Sequence, residues 1–233
     1  MERGSYMQRD RAVAVQSEFI RRVYNWMAFG LALTALTSLF TANSPALLQL
    51  IFGNPLTLVV LIIAELGIVV ALSAAINRLS STTAALMFFI YAFLNGLTLS
   101  AIFLVYTRAS IASTFFVTAG TFAIMSIYGY TTKRDLTSWN GFLTMGLIGV
   151  ILASLVNLFL NSPMIYWLIT YAGIIVFVGL TAYDTQQLKA MAYAGFSGSE
   201  EERRGAVMGA LKLYLDFINL FLLLLRLFGR RND

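Results

Sequence analysis

Long apolar runs separated by short polar stretches make up most of this 233-residue sequence. Seven of the runs have about the 20 residues that an α-helix needs to cross the hydrocarbon layer of a membrane. The pattern predicts an all-α integral membrane fold, with a cytoplasmic tail over 1–22, a single seven-helix domain over 23–228 and a short tail over 229–233. We place the seven segments at about 23–41, 56–76, 82–106, 111–131, 139–161, 163–188 and 206–228.

Composition points to the same class. Hydrophobic residues make up 59% of the sequence and charged residues 12%, and the mean hydropathy is +0.78. Soluble domains carry about 25% charged residues. A soluble core of this size cannot bury so much apolar surface, so lipid must be the solvent. The net charge of +5 then indicates membrane topology and not nucleic-acid binding.

The distribution of Lys and Arg predicts a cytoplasmic N-terminus, because cytoplasmic loops carry the excess of basic residues. In that orientation the cytoplasmic side holds eleven: five in the tail, and Arg78, Lys133, Arg134, Lys189, Arg203 and Arg204. The opposite side holds four: Arg108, Arg226, Arg230 and Arg231. The three arginines near the C-terminus leave a second possibility open, in which the last segment is re-entrant and returns to the cytoplasm.

The sequence contains no Cys and no His. Disulfides, thiolate nucleophiles and the usual zinc or copper sites are therefore excluded. We expect no bound cofactor. A response to pH near neutrality would have to come from carboxylates, because histidine is the ordinary switch in that range.

Three carboxylates lie within the apolar segments: Glu65, Asp184 and Asp216. A charged residue at the middle of a bilayer costs about 2.5–3.5 kcal/mol on insertion scales, so such residues are functional candidates by default. The alternative is that a neighbouring group satisfies each carboxylate, or that each lies near the interface. The first interpretation predicts a route for cations.

Asp184 and Asp216 fall on consecutive segments, in the cytoplasmic half of the membrane, where they can meet. Two like charges in a poorly solvated place do not both ionise easily, so the pair would share a proton and titrate as one unit. Such a pair is a pH sensor and a gate. Lys212 offers an alternative, because an i,i+4 ion pair with Asp216 would weaken the switch.

Glu65 lies near the middle of the second segment. Arg78 follows thirteen residues later, about 20 Å along a helix, so the two cannot pair within it. Polar residues on other segments are candidates to continue a polar track from Glu65, although each also fits a helix–helix contact. These are Asn95, Thr98, Asn157, Thr181 and Asn219.

Two aspartate motifs resemble signatures of the Bax inhibitor family, the transmembrane Bax-inhibitor-motif proteins. The stretch 213–221, LYLDFINLF, is similar to the closing helix of that family, and 179–187, with Tyr183-Asp184 at its centre, is similar to its sixth helix. The stretch 131–136, TTKRDL, resembles its fourth loop. The likeness extends over all seven segments, and the chain looks like a bacterial-type member.

The resemblance implies a seven-helix fold with the last helix central, in a bacterial inner (plasma) membrane. It implies a pH-sensitive leak of calcium, with Asp184 and Asp216 as the gate, Glu65 in the pore and Arg78 as a less secure gate partner. Glu65, Asp184 and Asp216 would contact the passing Ca²⁺ transiently. The family also implies a membrane-anchored AAA protease or the cell-death machinery as possible partners.

Two other functions fit parts of the pattern. An intramembrane aspartyl protease also carries two aspartates on its sixth and seventh helices, the first within Tyr-Asp. Its second aspartate should follow Gly-x-Gly, whereas the bulky residues 213–215 precede Asp216 here, so we do not expect an enzyme. A regulator that conducts nothing and binds another membrane protein is the second alternative.

Overall fold

Helices account for nearly all of the computed structural model, which describes residues 2–194 and 199–232, with side chains over 16–192 and 199–232. Within those ranges there is no β-strand. The helices are α1 (Glu2–Ala42), α2 (Pro45–Phe52), α3 (Pro55–Ala75), α4 (Ser81–Leu99), α5 (Ile102–Val105), α6 (Arg108–Thr131), α7 (Asn140–Leu160), α8 (Pro163–Ala194) and α9 (Ser199–Phe228), with a 3₁₀ turn at Thr137–Trp139.

The described part of the chain holds seven helical stretches long and apolar enough to cross a membrane, which confirms the predicted fold class. Helix α1 extends beyond the N-terminal end of the predicted first segment at 23, and Glu18 and Arg22 form an ion pair of 2.6 Å in that polar part of the helix. The stretches are Gln16–Ala42, Pro55–Ala75, Ser81–Val105, Arg108–Thr131, Thr137–Leu160, Pro163–Ala192 and Ser199–Phe228.

Capping side chains mark where several of these helices begin. The side chains of Ser44, Asn54, Ser80 and Thr107 accept hydrogen bonds from backbone N–H groups in the first turns of α2, α3, α4 and α6. These bonds satisfy donors that have no partner within the helix. At the other end of α7, Asn161 takes a left-handed conformation with φ 47° and stops the helix.

The chain divides into two compact units. Unit 1 comprises Met1–Val105 and Leu188–Tyr214, and unit 2 comprises Tyr106–Gln187 and Leu215–Asp233. Both α8 and α9 contribute residues to each unit. In α9, 72% of the most apolar stretch is buried, against 6–44% in the other six spans. Such burial is what a central helix would have, but the central position of α9 stays a prediction.

In unit 1, α1 packs closely on α4 through glycine. A Cβ placed on Gly96 would lie 2.7 Å from Thr37 Cβ and 2.8 Å from the carbonyl oxygen of Thr34, and one on Gly30 would lie 2.5 Å from the ring of Phe88. Real Cβ atoms do not approach other atoms so closely, so only glycine permits the two helices to lie at this distance.

The start of α9 holds the turn between α3 and α4, also within unit 1. Glu200 accepts hydrogen bonds from the backbone N–H and the hydroxyl of Ser81, at 2.5 and 2.9 Å. Arg204 donates to the carbonyl oxygens of Asn77 and Leu79, at 2.7 and 3.3 Å. A carboxylate thus caps the beginning of α4, which is favourable for the helix dipole, and a guanidinium binds carbonyls in the turn that follows α3.

In unit 2 the residues after α9 contact the start of α6. The N–H of Thr107 donates to the carbonyl of Arg230 at 3.0 Å, and the N–H of Arg230 donates to the hydroxyl of Ser110 at 2.8 Å. The end of α9 therefore lies at the membrane face where α6 begins, as expected for an unbroken seventh crossing. The guanidinium of Arg226 lies 5.3 Å from the ring centre of Tyr166, which offers that charge a cation–π contact.

Candidate ion-path carboxylates

Asp184 of α8 and Asp216 of α9 are both buried in unit 2, with 8% and 5% of their surface exposed. Thr181 and Thr185 stand beside Asp184 in α8. Their hydroxyls donate to carbonyls one turn earlier, Phe177 and Thr181, at 2.8 Å each. Both hydroxyls thus bind carbonyls of α8, and the Asp184 carboxylate carries the charge of this stretch.

A contact between α8 and α9 in unit 2 sets the level of each aspartate. Leu223 packs against Gly173, where a Cβ would lie 2.8 Å from the leucine Cδ1. Because the two consecutive spans are antiparallel, counting seven residues from this contact along each helix puts Asp216 level with Leu180. Asp184 lies four residues beyond Leu180, which is about 6 Å along the axis.

The same count shows which faces the aspartates occupy. Asp184 lies eleven residues after Gly173, and Asp216 lies seven residues before Leu223, both close to whole numbers of helical turns. Each aspartate therefore lies on the face that its helix presents to the other. Helical side chains lean toward the N-terminus of their own helix. In an antiparallel pair, that inclination directs the two carboxylates toward each other.

The two proposed basic partners are both exposed. Lys212 lies one helical turn before Asp216 in α9 and has an exposed side chain, whereas Asp216 is buried. Arg78 is exposed in the turn that follows α3, where its N–H donates to the carbonyl of Ala75 at 2.8 Å. A gating role for either residue stays a prediction.

Glu65 of α3 is half-buried in unit 1 and contacts α4 through both carboxylate oxygens. The Thr98 hydroxyl donates to Oε1 at 2.9 Å, and Asn95 Nδ2 donates to Oε2 at 3.2 Å. Asn95 and Thr98, two of the residues proposed to continue a polar track, therefore contact Glu65 directly. The contacts fix the orientation of a carboxylate that faces a largely apolar environment.

A buried hydrogen-bond chain continues from Asn95 within unit 1. The Tyr214 hydroxyl of α9 lies 3.1 Å from Asn95 Oδ1 and 2.6 Å from the Thr34 hydroxyl of α1, which in turn lies 2.8 Å from the carbonyl of Ala92. Tyr214 and Thr34 escape detection in the sequence because they lie 180 residues apart. In the sequence, only the aspartate motif around Tyr214 indicates that this part of α9 has a functional role.

The other polar residues proposed for the track bind their own helices or caps. Asn219 Nδ2 donates to the carbonyl of Leu215 at 2.8 Å, and Asn157 Oδ1 accepts the N–H of Ser162 at 2.9 Å at the end of α7. Thr181 donates within α8, as described above. These contacts account for the three side chains without a transmembrane path.

The loop before α7 is attached to α8 near Asp184. Gln186 accepts the backbone N–H of Leu136 and donates to the carbonyl of Arg134, both at 2.8 Å. In the same loop, the Thr137 hydroxyl and backbone N–H donate to Asp135 at 2.6 and 2.9 Å and hold the pKa of that carboxyl below its usual value. Gln186 therefore fixes this loop to α8, a role that the sequence alone did not single out.

Over the described residues, no group of three or more His, Cys, Asp or Glu side chains is placed to hold a metal ion. Asp184 and Asp216 are two carboxylates in unit 2, and Glu65 is one carboxylate in unit 1. Their contact with calcium as a transported ion stays a prediction.

Comparison with known proteins gives consistent likenesses over almost the whole chain. The family described as Bax1-I, inhibitor of apoptosis-promoting Bax1, matches residues 16–233. Inner membrane protein YbhL of Escherichia coli K12 is 55% identical over 215 residues, covering 92% of each chain. A protein of Borreliella burgdorferi is 44% identical over 227 residues, covering 97% of this chain and 98% of the relative. Protein RP147 of Rickettsia prowazekii is 44% identical over 216 residues, 92% of this chain and 90% of the relative.

Proposed function

The chain belongs to the Bax inhibitor family, and we propose that it is a pH-sensitive calcium leak channel, gated by Asp184 and Asp216 and lined by Glu65. One observation supports the gate above all. Two carboxylates buried in unit 2 lie on the facing sides of α8 and α9, about one helical turn apart.

In the proposed mechanism, the two aspartates share one proton at low pH. A carboxyl group then donates to the other carboxylate and joins α8 to α9. Loss of that proton leaves two like charges close together in a buried place, and they repel unless a cation enters between them. Calcium prefers oxygen ligands and tolerates an irregular set, so a carboxylate pair suits its passage.

Glu65 is proposed to act on the same route at the middle of α3. The carboxylate is held by Asn95 and Thr98, and it is the charged residue of an otherwise apolar helix. Such a group can replace part of the hydration shell of a cation at a depth where lipid offers nothing. We propose that the protein lies in the inner membrane, as the name of YbhL states for that relative, with the N-terminus in the cytoplasm.

The test is calcium flux in liposomes that contain only the purified full chain. We expect the wild-type flux to change between about pH 6 and 8. A single solvent-exposed aspartate, with a pKa near 4, would not titrate in that range. Asp184→Asn and Asp216→Asn should each flatten the flux-versus-pH curve. The double variant should add little, because members of one network are not additive.

Asp135→Asn is the matched control, since Asp135 is exposed in a loop and forms no part of the pair. It should leave the curve unchanged. Wild-type flux equal to that of empty liposomes would refute the channel and favour the regulator that conducts nothing. Flux that keeps its pH dependence in both asparagine variants would refute the gate while leaving the channel intact.

A further inference from the structure

The buried hydrogen-bond chain around Tyr214 has three contacts but only two hydroxyl protons to make them. Its three contacts join Asn95 Oδ1 to Tyr214, Tyr214 to Thr34, and Thr34 to the carbonyl of Ala92, at 3.1, 2.6 and 2.8 Å. Each is within hydrogen-bond distance, and each needs one proton. With the Asn95 nitrogen directed at Glu65, only the two hydroxyl groups can supply protons, so one contact has none.

Water cannot make up the difference at this place. Tyr214 is fully buried, Thr34 is 3% exposed and Asn95 is 8% exposed. The Tyr214 hydroxyl cannot easily move away either, because the tyrosine ring packs edge-on against the rings of Phe88 and Tyr91, at ring-centre distances of 5.7 and 5.6 Å. A polar contact left unmade in such a place costs the desolvation of its groups.

Turning the Asn95 amide by 180° about its last side-chain bond supplies the missing proton. The nitrogen and oxygen of an amide exchange places with almost no change of shape. The nitrogen then donates to Tyr214, Tyr214 donates to Thr34, and Thr34 donates to Ala92. All three contacts of the hydrogen-bond chain then have a proton, and each donor points toward the next acceptor.

The turned amide presents its oxygen to Glu65. Two oxygens, Asn95 Oδ1 and Glu65 Oε2, then face each other at the 3.2 Å that the amide nitrogen spanned before. They repel unless a positive charge lies between them. Two oxygens 3.2 Å apart, each about 2.4 Å from one Ca²⁺, subtend roughly 85° at the ion, an ordinary angle for neighbouring ligands. The hydroxyl of Thr98, 2.9 Å from Oε1, supplies a further oxygen.

We propose that Glu65 and Asn95 form a cation site when the Asn95 amide turns, and that Tyr214 and Thr34 are positioning residues that set its orientation. The proposal rests on the proposed function, since it names how Glu65 would hold the transported ion. The proposed occupant is Ca²⁺. A proton on Glu65 would fill the same gap and is therefore the competitor.

Among the described residues, Tyr91 of α4 and Tyr214 of α9 interact electrostatically with Glu65. Helix α2 and helix α4 contain no Asp, Glu, Lys or Arg. On α1 the nearest charged residue to Thr34 is Arg22, about 18 Å away along the helix. In the sequence of α9, Lys212 and Asp216 flank Tyr214.

The experiment is equilibrium binding of ⁴⁵Ca²⁺ to the full chain in lipid nanodiscs, which requires no flux. Glu65→Gln should abolish binding at this site. Tyr214→Phe and Thr34→Val each remove one more hydrogen bond from the turned state than from the other, so each should raise the Kd about 2- to 10-fold. Thr34→Ser restores the hydroxyl and should bind as the wild type does.

Thr118→Val is the control for loss of a buried hydroxyl. Thr118 is fully buried, but it donates to the carbonyl of Thr114 in its own helix, so its removal should leave the Kd unchanged. Wild-type affinity in both Tyr214→Phe and Thr34→Val would overturn the proposal. So would absence of Glu65-dependent calcium binding, and an infrared band of protonated Glu65 in that case would identify a proton as the occupant. Binding without flux would refute the leak and keep the site.

Discussion

Gly129 of α6 lies against the backbone of α8 two residues before Asp184. A Cβ placed on Gly129 would overlap the carbonyl oxygen of Ala182, and it would lie 2.9 and 3.0 Å from the carbonyl carbon and Cα of the same residue. All three atoms belong to the backbone, so no side chain can rotate away. The substitution Gly129→Ala must therefore push α6 from α8 by on the order of 1 Å to restore ordinary contact distances.

We expect Gly129→Ala to lower the free energy of unfolding by about 1–3 kcal/mol, the usual cost of overpacking a well-packed site. Gly120→Ala is the matched control in the same helix, because a Cβ on Gly120 would meet nothing within 4 Å. Alanine favours the helix over glycine, so the control should be neutral or up to about 1 kcal/mol more stable.

Thermal unfolding in detergent, followed by tryptophan fluorescence, measures the difference between the two variants. Flux measured on the same samples tests whether separating α6 from α8 also disturbs the aspartate gate. Equal stability of Gly129→Ala and Gly120→Ala would show that the close approach of α6 and α8 does not exist in the detergent-solubilised protein. The packing of α6 beside Asp184 would then need to be revised.

Three further expectations concern the ion path, the topology and the pH response. Glu65→Gln should reduce calcium flux in liposomes, because it removes the charge that replaces water around the ion, and unchanged flux would remove Glu65 from the path. Reporters fused at residue 1 and inserted beside Arg134 should both report the cytoplasm, and an outside signal from either would reverse the orientation. If Lys212→Ala shifts the pH curve strongly while Asp184→Asn leaves it in place, the ion pair on α9 sets the response and not the diaspartate pair.

The seven spans could be predicted closely because the thickness of the hydrocarbon layer sets their length. The second segment was expected at about 56–76 and lies at Pro55–Ala75, where the cap by Asn54 fixes its start. Hydropathy fails at the first span, because the polar turn around Glu18 and Arg22 continues the helix through charged residues. Apolar content marks the part of a helix that lipid surrounds and not the full helix.

The site could be predicted only in its charged members. Glu65, Asp184 and Asp216 are recognisable because a carboxylate in an apolar segment carries an insertion cost that helix packing does not explain. Nothing in a single sequence shows which face of a helix meets another, so Tyr214 and Thr34 look like ordinary core residues. Asn219 shows the opposite error, since an amide in an apolar segment can simply bind a carbonyl of its own helix.

The contacts at the start of α9 bear on how the chain is made. During synthesis α9 emerges after the other six spans, and until then the α3–α4 turn lacks Glu200 and Arg204, and Asn95 and Thr34 lack the Tyr214 hydroxyl. The earlier spans therefore enter the bilayer before these polar groups have their hydrogen-bond partners on α9. Insertion of α9 supplies these partners in a single late step, so a chain that stalls before this helix keeps those polar groups unmatched.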